Sequence, residues 1–277
     1  MIYKQMDTDK YRILVTNDDG IHSPGLHAAA DALKDLGEVT IIAPLNQVSA
    51  TGRSMPSGSD GSITPITITI QHQKWEAFAV GGTPAQVIQH GVLEIMPERP
   101  DLIVAGINYG ENVGTSITIS GTIGAALEAA AMGIPAMTVS FQLLEKEHFS
   151  NYAQLDFSSP AHFLKYFARI ILNQKFSGDI DLLKIDVPAD ATSETPWKIT
   201  RLAKHRYYQP EASGRKKWKD KSSIWFHSTV EKGQIPVDSD IYAMLFDKVV
   251  SVTPISMDMT SRVDLHQLEK SLKSNSL

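Results

Sequence analysis

Apolar and polar positions alternate along the chain in two recurring patterns. A short continuous apolar run, Ile13-Leu14-Val15, ends in Thr16-Asn17-Asp18-Asp19-Gly20. Beyond it, apolar residues recur at Leu26, Ala29, Ala30, Leu33 and Leu36, the spacing of a helix. Ser23 suits the N-cap of that helix, Pro24 its first turn and Gly37 its end. The pattern predicts a strand buried on both faces, an acidic loop and a helix. Asp-Gly pairs also mark β-hairpins, but here a helical pattern follows rather than a second strand.

The same unit repeats. Residues 38–44 form a second β-branched run, so the first unit is βαβ with a right-handed crossover. Residues 45–60, rich in Ser, Gly and Asn, read as loop. Residues 63–70 alternate with threonine at period two, as an exposed or half-buried strand does, and 76–80 form a weaker strand. Thr83-Pro84 opens a helix that has Val87, Val92 and Leu93 to bury. Further strands are predicted at 102–105, 136–140 and 182–187, with helices from Ser120 to about Met132 and over 163–172. This alternation predicts an α/β fold, a doubly wound Rossmann-like and mostly parallel sheet.

The texture changes near residue 195. Residues 196–260 are aromatic, charged and strand-like, with Gly214 and Gly233 as candidate turns. Residues 263–272 place Val263, Leu265, Leu268 and Leu272 on one face of a helix. The expected division is an α/β catalytic core over 1–195 and a C-terminal hairpin and helix extension over 196–277 that serves oligomerisation. Isolated hairpins are marginal in water, so Trp197, Trp218, Trp225 and Phe226 need a surface to cover them.

Composition narrows the function. A net charge of −5 gives no general attraction to nucleic acid or to an anionic membrane. There is no cysteine, which removes disulfides, thiol catalysis and thiolate metal sites and suits a cytoplasmic location. Residues 1–10 lack the apolar stretch of a signal peptide. The most apolar window, 124–141, is interrupted by Glu128 and Pro135 and reads as buried helix and strand, not as a membrane span.

Candidate chemistry gathers where parallel strands end. Asp18 and Asp19 follow the first strand, Ser49 follows the second and Asn108 follows the strand at 102–105. Open α/β sheets bind ligands at that edge. Adjacent carboxylates repel each other and any phosphate unless a cation lies between them. Carboxylate, hydroxyl and amide oxygens suit Mg²⁺ or Mn²⁺. Singly, a loop serine or asparagine is an ordinary turn former; convergence on one edge gives these two weight. The helix start Ser120-Gly121-Thr122 offers a cap and also an anion site, which beside a divalent cation predicts phosphate. The glycine-rich segment 106–114 lacks the Gly-Lys-Ser/Thr of a Walker loop, and no G-x-G-x-x-G follows the first strand.

Four ordered motifs carry a family resemblance. They are Val15 through Ile21, Ser49-Ala50-Thr51-Gly52, Gly82-Thr83-Pro84-Ala85, and the segment 105–114 together with Ser120-Gly121-Thr122. Each resembles the corresponding signature of the SurE survival-protein family of metal-dependent nucleotidases. The resemblance implies one divalent metal ion per subunit, held by Asp18, Asp19, Ser49 and Asn108. It also implies phosphate contacts from Asn112, Ser120, Gly121 and Thr122, with Asp18, Asp19 and Asn112 as the catalytic set. The implied substrates are nucleoside 5′- and 3′-monophosphates, with short polyphosphate beside them. The implied assembly is a homodimer or homotetramer with exchanged C-terminal segments. The chain departs from the family pattern at three places: Leu45 to Val48 replaces an acidic and basic stretch, and Gln86 and Ser116 stand where aspartate is usual. None is an expected metal ligand, so they bear on nucleoside preference.

The expected function is thus a divalent-metal-dependent phosphomonoesterase. Two rival readings remain: a non-catalytic nucleotide-binding or scaffold protein with a vestigial metal site, and a haloacid-dehalogenase-type phosphatase, which would need Asp-x-Asp rather than adjacent aspartates. His22 is a candidate leaving-group acid, against the plainer reading of a solvated loop histidine. The run Arg215-Lys216-Lys217-Trp218-Lys219 is either a polyanion site or a solvated hairpin tip.

Overall fold

The computed structural model describes residues 10–143, 155–174, 176, 178–228 and 230–274. Residues 1–9, read above as lacking a signal peptide, lie outside the described residues of the protein. Its frame is a nine-stranded sheet in the order β3-β4-β2-β1-β5-β6-β7-β11-β8, with β1 (Tyr11–Thr16), β2 (Gly37–Pro44), β3 (Ile63–Ile70), β4 (Gln73–Val80), β5 (Leu102–Tyr109), β6 (Ala136–Phe141), β7 (Leu182–Val187), β8 (Trp197–Ile199) and β11 (Val250–Ile255). From β4 to β7 every neighbouring pair is parallel. The chain winds outward from β1 through β2 to β4, then returns to β1's other side with β5. That reversal places a topological switch point between β1 and β5.

Strand burial follows from coverage on both faces. Ile13 and Val15 of β1 join one core with Leu26, Ala29 and Leu33 of α1 (Pro24–Leu33) and Phe163 and Phe167 of α4 (Ser158–Asn173). The intervening Leu14 points into the opposite core, with Val87 and Ile88 of α2 (Pro84–His90) and Ala125 and Ala129 of α3 (Gly121–Ala131). The period-two alternation of a strand thus splits its apolar residues between two helical layers. The N-caps form as the residue types predict: Ser23 Oγ accepts from Leu26 N, and Thr83 and Gln86 make a reciprocal capping box; Gly37, expected to end α1, instead opens β2, and the helix stops at Leu33. The helix predicted over 163–172 begins earlier, at Ser158, because Asp156 Oδ1 accepts from Ser158 N and Pro160 lies in the first turn.

Past residue 195, among the described residues, one hairpin stands apart from the main sheet. Strands β9 (Tyr208–Glu211) and β10 (Trp225–Ser228) pair antiparallel outside the main sheet, with Gly214 in their connection. Gly233 lies in a 3₁₀ turn, Lys232–Gln234, rather than between two strands. β11 runs antiparallel to β7 and carries β8 on its far side, so the main sheet extends across the expected boundary at 195. A short helix, α5 (Asp240–Tyr242), precedes β11. The last element, α6 (Leu265–Ser274), is the predicted amphipathic helix, and Leu265, Leu268 and Leu272 are all exposed on it. Among the described residues, no helix is long and apolar enough to cross a membrane.

Candidate functional site

The loop leaving β1 is shaped by its own side chains. Asn17 Nδ2 donates to Gly20 O, and Gly20 N donates back to Asn17 Oδ1, both at 3.2 Å. This closed turn sends Asp18 and Asp19 in different directions from one point. Asp18 turns toward α3, where Thr122 Oγ1 donates to its Oδ1 at 2.6 Å and the Gly121 and Thr122 backbone amides face it. Burial raises the Asp18 carboxyl above the usual range, and those hydrogen bonds pull it back down. Asp19 accepts from Tyr109 N and from Gln47 Nε2, each at 3.4 Å. Burial, and then repulsion by Asp18, hold the Asp19 carboxyl well above its ordinary value.

Asn108 enters from the end of β5, where a bulge between Gly106 and Asn108 shifts the pairing with β6. Its Nδ2 donates to Tyr109 O at 3.2 Å and Gly110 O at 2.8 Å. The amide is thereby fixed with Oδ1 toward Thr122 Oγ1, 3.0 Å away. Ser49, in the loop after β2, accepts at Oγ from Gln47 Nε2 at 3.1 Å. The same Gln47 nitrogen contacts Asp19, so one amide ties the loops after β1 and β2 together.

Asp18, Asp19, Ser49, Asn108, Asn112 and Ser120 all line one cleft of about 190 Å³. Six of the eight predicted site residues therefore meet there. The other two, Gly121 and Thr122, were expected to meet phosphate but stand behind Asp18. A Cβ on Gly121 would lie 2.8 Å from Asp18 Cβ and Oδ2, so only glycine lets α3 approach so closely. Ser120 Oγ accepts from Ile123 N at 3.2 Å and caps α3. Asn112 Nδ2 donates to Ser140 Oγ at 2.9 Å. His22 is exposed and does not line the cleft. In the basic run, the Arg215 guanidinium bonds the carbonyls of Trp218, Asp220 and Ser222, so that it shapes its own loop, and Trp218 is 94% exposed.

Other lining residues lie outside the predicted set, among them Gln47, Tyr109, Glu111 and Tyr208. Gln47, Tyr109 and Glu111 sit inside loops already singled out, beside the predicted ligands. Tyr208 comes from β9, far along the chain, and no local pattern ties it to the others. The buried Glu111 carboxylate lies beside Tyr207 and Tyr208; burial, and then that carboxylate, push both phenols upward, so they stay protonated.

The donor set fits a hard divalent cation. Among the described residues, no lysine, arginine or histidine pairs with Asp18 or Asp19. Nor do three His, Cys, Asp or Glu side chains converge anywhere in them. What the cleft offers is two uncompensated carboxylates, the amide oxygen of Asn108 and the hydroxyl of Ser49, which are oxygen ligands of the kind Mg²⁺ and Mn²⁺ take.

Known proteins resemble this chain along most of its length. The model of the family described as survival protein SurE matches residues 13–209. A protein of Methanosarcina acetivorans named 5′-nucleotidase SurE is 39% identical over 267 residues, covering 94% of this chain and 97% of its own. One of the same name from Thermococcus gammatolerans is 40% identical over 266 residues, covering 96% and 97%. Among solved structures, the SurE protein from Aquifex aeolicus superposes with a TM-score of 0.74 at 29% identity, covering 95% of this chain and 98% of that one.

Proposed function

The chain belongs to the SurE survival-protein family, and from that premise we propose that it is a 5′-nucleotidase, a divalent-metal-dependent phosphomonoesterase acting on nucleoside 5′- and 3′-monophosphates and on short polyphosphate. One observation carries the reading: two adjacent carboxylates, Asp18 buried and Asp19 half-buried, without a paired cation among the described residues, open into the cleft that Asn112 and Ser120 also line. Asp18, Asp19, Ser49 and Asn108 would hold Mg²⁺ or Mn²⁺. Such an ion, when bound, polarises a phosphoryl oxygen and activates water.

The residues of the chain supply the rest. Asn112 and Ser120 are the cleft-facing groups for the remaining phosphoryl oxygens, and Asn112 meets the charge that develops on them. Thr122 and the first amides of α3 hold Asp18 in place from behind. Tyr109 and Tyr208, with Glu111, wall the cleft beyond the phosphate position, where a nucleoside would rest against aromatic rings. The exposed apolar face of α6 is read as covered by a second copy, in a homodimer or homotetramer with exchanged C-terminal segments, and the protein as cytoplasmic.

The test is hydrolysis of a phosphomonoester panel, led by 5′-AMP, 3′-AMP and tripolyphosphate, with Mg²⁺, Mn²⁺ or EDTA. Turnover that needs the metal and favours nucleoside monophosphates is expected. Full turnover in excess chelator overturns the metal reading. Binding of 5′-AMP without turnover under any metal would make the protein a nucleotide-binding scaffold instead.

A further inference from the structure

A buried ion cluster lies behind the cleft. Lys184 and Asp186 of β7 and Asp240 of α5 have no exposed surface. Lys184 Nζ pairs with Asp186 Oδ2 and, at 3.3 Å, with Asp240 Oδ2. The remaining bonds of both carboxylates are directed at backbone. Asp186 Oδ1 accepts from Asn112 N at 2.8 Å, and Asp240 Oδ2 accepts from Gly114 N at 2.9 Å. Asp240 Oδ1 accepts from Ala203 N at 3.0 Å. One lysine thus joins two carboxylates, and the carboxylates grip the cleft loop at alternate residues.

The loop is also embedded in the segment beyond residue 200. Val113, between the two gripped amides, is the one buried member of a small apolar cluster that does not come from that segment; Ala203, Tyr207, Ile235, Ile241 and Met244 are the others. Gly114 has φ +58°, and a Cβ there would lie 2.4 Å from His205 O. Buried ion clusters of this kind are a poor source of stability, because apolar residues of equal volume serve as well or better. Apolar residues would not bond the Asn112 and Gly114 amides.

We propose that Lys184, Asp186 and Asp240 form a positioning brace for Asn112, through which the 203–244 segment sets the turnover of the cleft. In its kinetic consequence the proposal rests on the phosphatase reading, since it takes Asn112 to meet the phosphoryl group. None of the three is a catalytic residue; each acts through the backbone of the loop.

Full-length Asp186→Asn and Asp240→Asn variants test it with 5′-AMP and Mn²⁺. Turnover should fall about tenfold or more, while KM and the Mn²⁺ activation constant stay within about threefold. In an Asn112→Ala background the Asp186 bond to the 112 backbone amide survives but the side chain it positions is gone, so Asp186→Asn should cost little further. Unchanged turnover, or equal losses in both backgrounds, overturns the brace. Amide hydrogen exchange at Asn112 and Gly114 gives a readout apart from activity, and Asp240→Asn should quicken it while the β1 amides keep their protection. If the wild-type chain does not hydrolyse 5′-AMP, the phosphatase reading fails and exchange alone decides, unchanged exchange overturning the brace. Should neither variant fold, Asn112 and Gly114 amides in the wild-type chain that exchange as fast as exposed loop amides overturn it.

Discussion

Thr122 Oγ1 donates to Asp18 Oδ1 across 2.6 Å, joining the first turn of α3 to a loop 104 positions earlier in the chain. The same oxygen lies 3.0 Å from Asn108 Oδ1. A hydroxyl has one proton, so the two acceptors share it, and Thr122 links two of the proposed metal ligands without itself facing the cleft.

Thr122→Val removes that proton from a fully buried site. Groups that orient metal ligands from behind are worth about 10- to 100-fold in metal affinity or activity. The Mn²⁺ concentration for half-maximal activity should rise by a factor in that range, and Thr122→Ser should restore it. A metal titration of phosphatase activity measures both.

Asp19 gives a pH signature. Its folded carboxyl is raised by burial and by Asp18, so the native metal-free state holds a proton that the unfolded chain has already released. Stability from this group is therefore present at low pH and lost as pH climbs through the raised value. In EDTA, the melting temperature of Asp19→Asn should gain on the wild type as pH rises from about 4 to about 8. With Mn²⁺ the order should reverse, because only the wild type keeps both carboxylates for the ion. Thermal melts across that range decide it.

Gly121→Ala places a methyl 2.8 Å from Asp18 and 3.1 Å from Pro84 Cγ. Overpacking of this kind costs about 1–3 kcal/mol. The rigid α3 start should transmit the strain to Asp18, so activity should fall more steeply than stability. Denaturant melts and turnover measured on the same sample separate the two.

The α6 helix should report the assembly. Leu268→Glu puts a charge on its exposed apolar face and should shift a dimer or tetramer toward monomer at micromolar concentration. Light scattering on wild type and variant is the measurement. A wild-type chain that is already monomeric there removes the exchanged-segment reading.

The α/β core is legible because its strands are covered on both sides and so read as unbroken apolar runs, as at Ile13-Leu14-Val15 and 102–105. The proposed ligands are legible because acidic and amide residues stand directly after those runs. β11 is harder to see. Its Ser251 and Thr253 alternate with apolar residues and look like a solvent face, yet both are buried, each bonding Thr200 Oγ1. Lys184 and Asp186 mislead in the same way, since their charges suggest water and they are paired with each other. Tyr208 and Asp240 reach the cleft or its support only through long-range packing, which no local period encodes.

The place of β11 also bears on how the protein is made. β7 is an inner strand whose second neighbour comes from residues 250–255. On the ribosome, β7 emerges first and waits with an unpaired edge while the intervening residues are added, roughly 3 to 12 seconds at ordinary rates of synthesis. Such an edge is a template for strands of other chains. A nascent chain stalled anywhere between β7 and β11 is thus the form most open to mispairing, and the emergence of β11 is what closes the sheet.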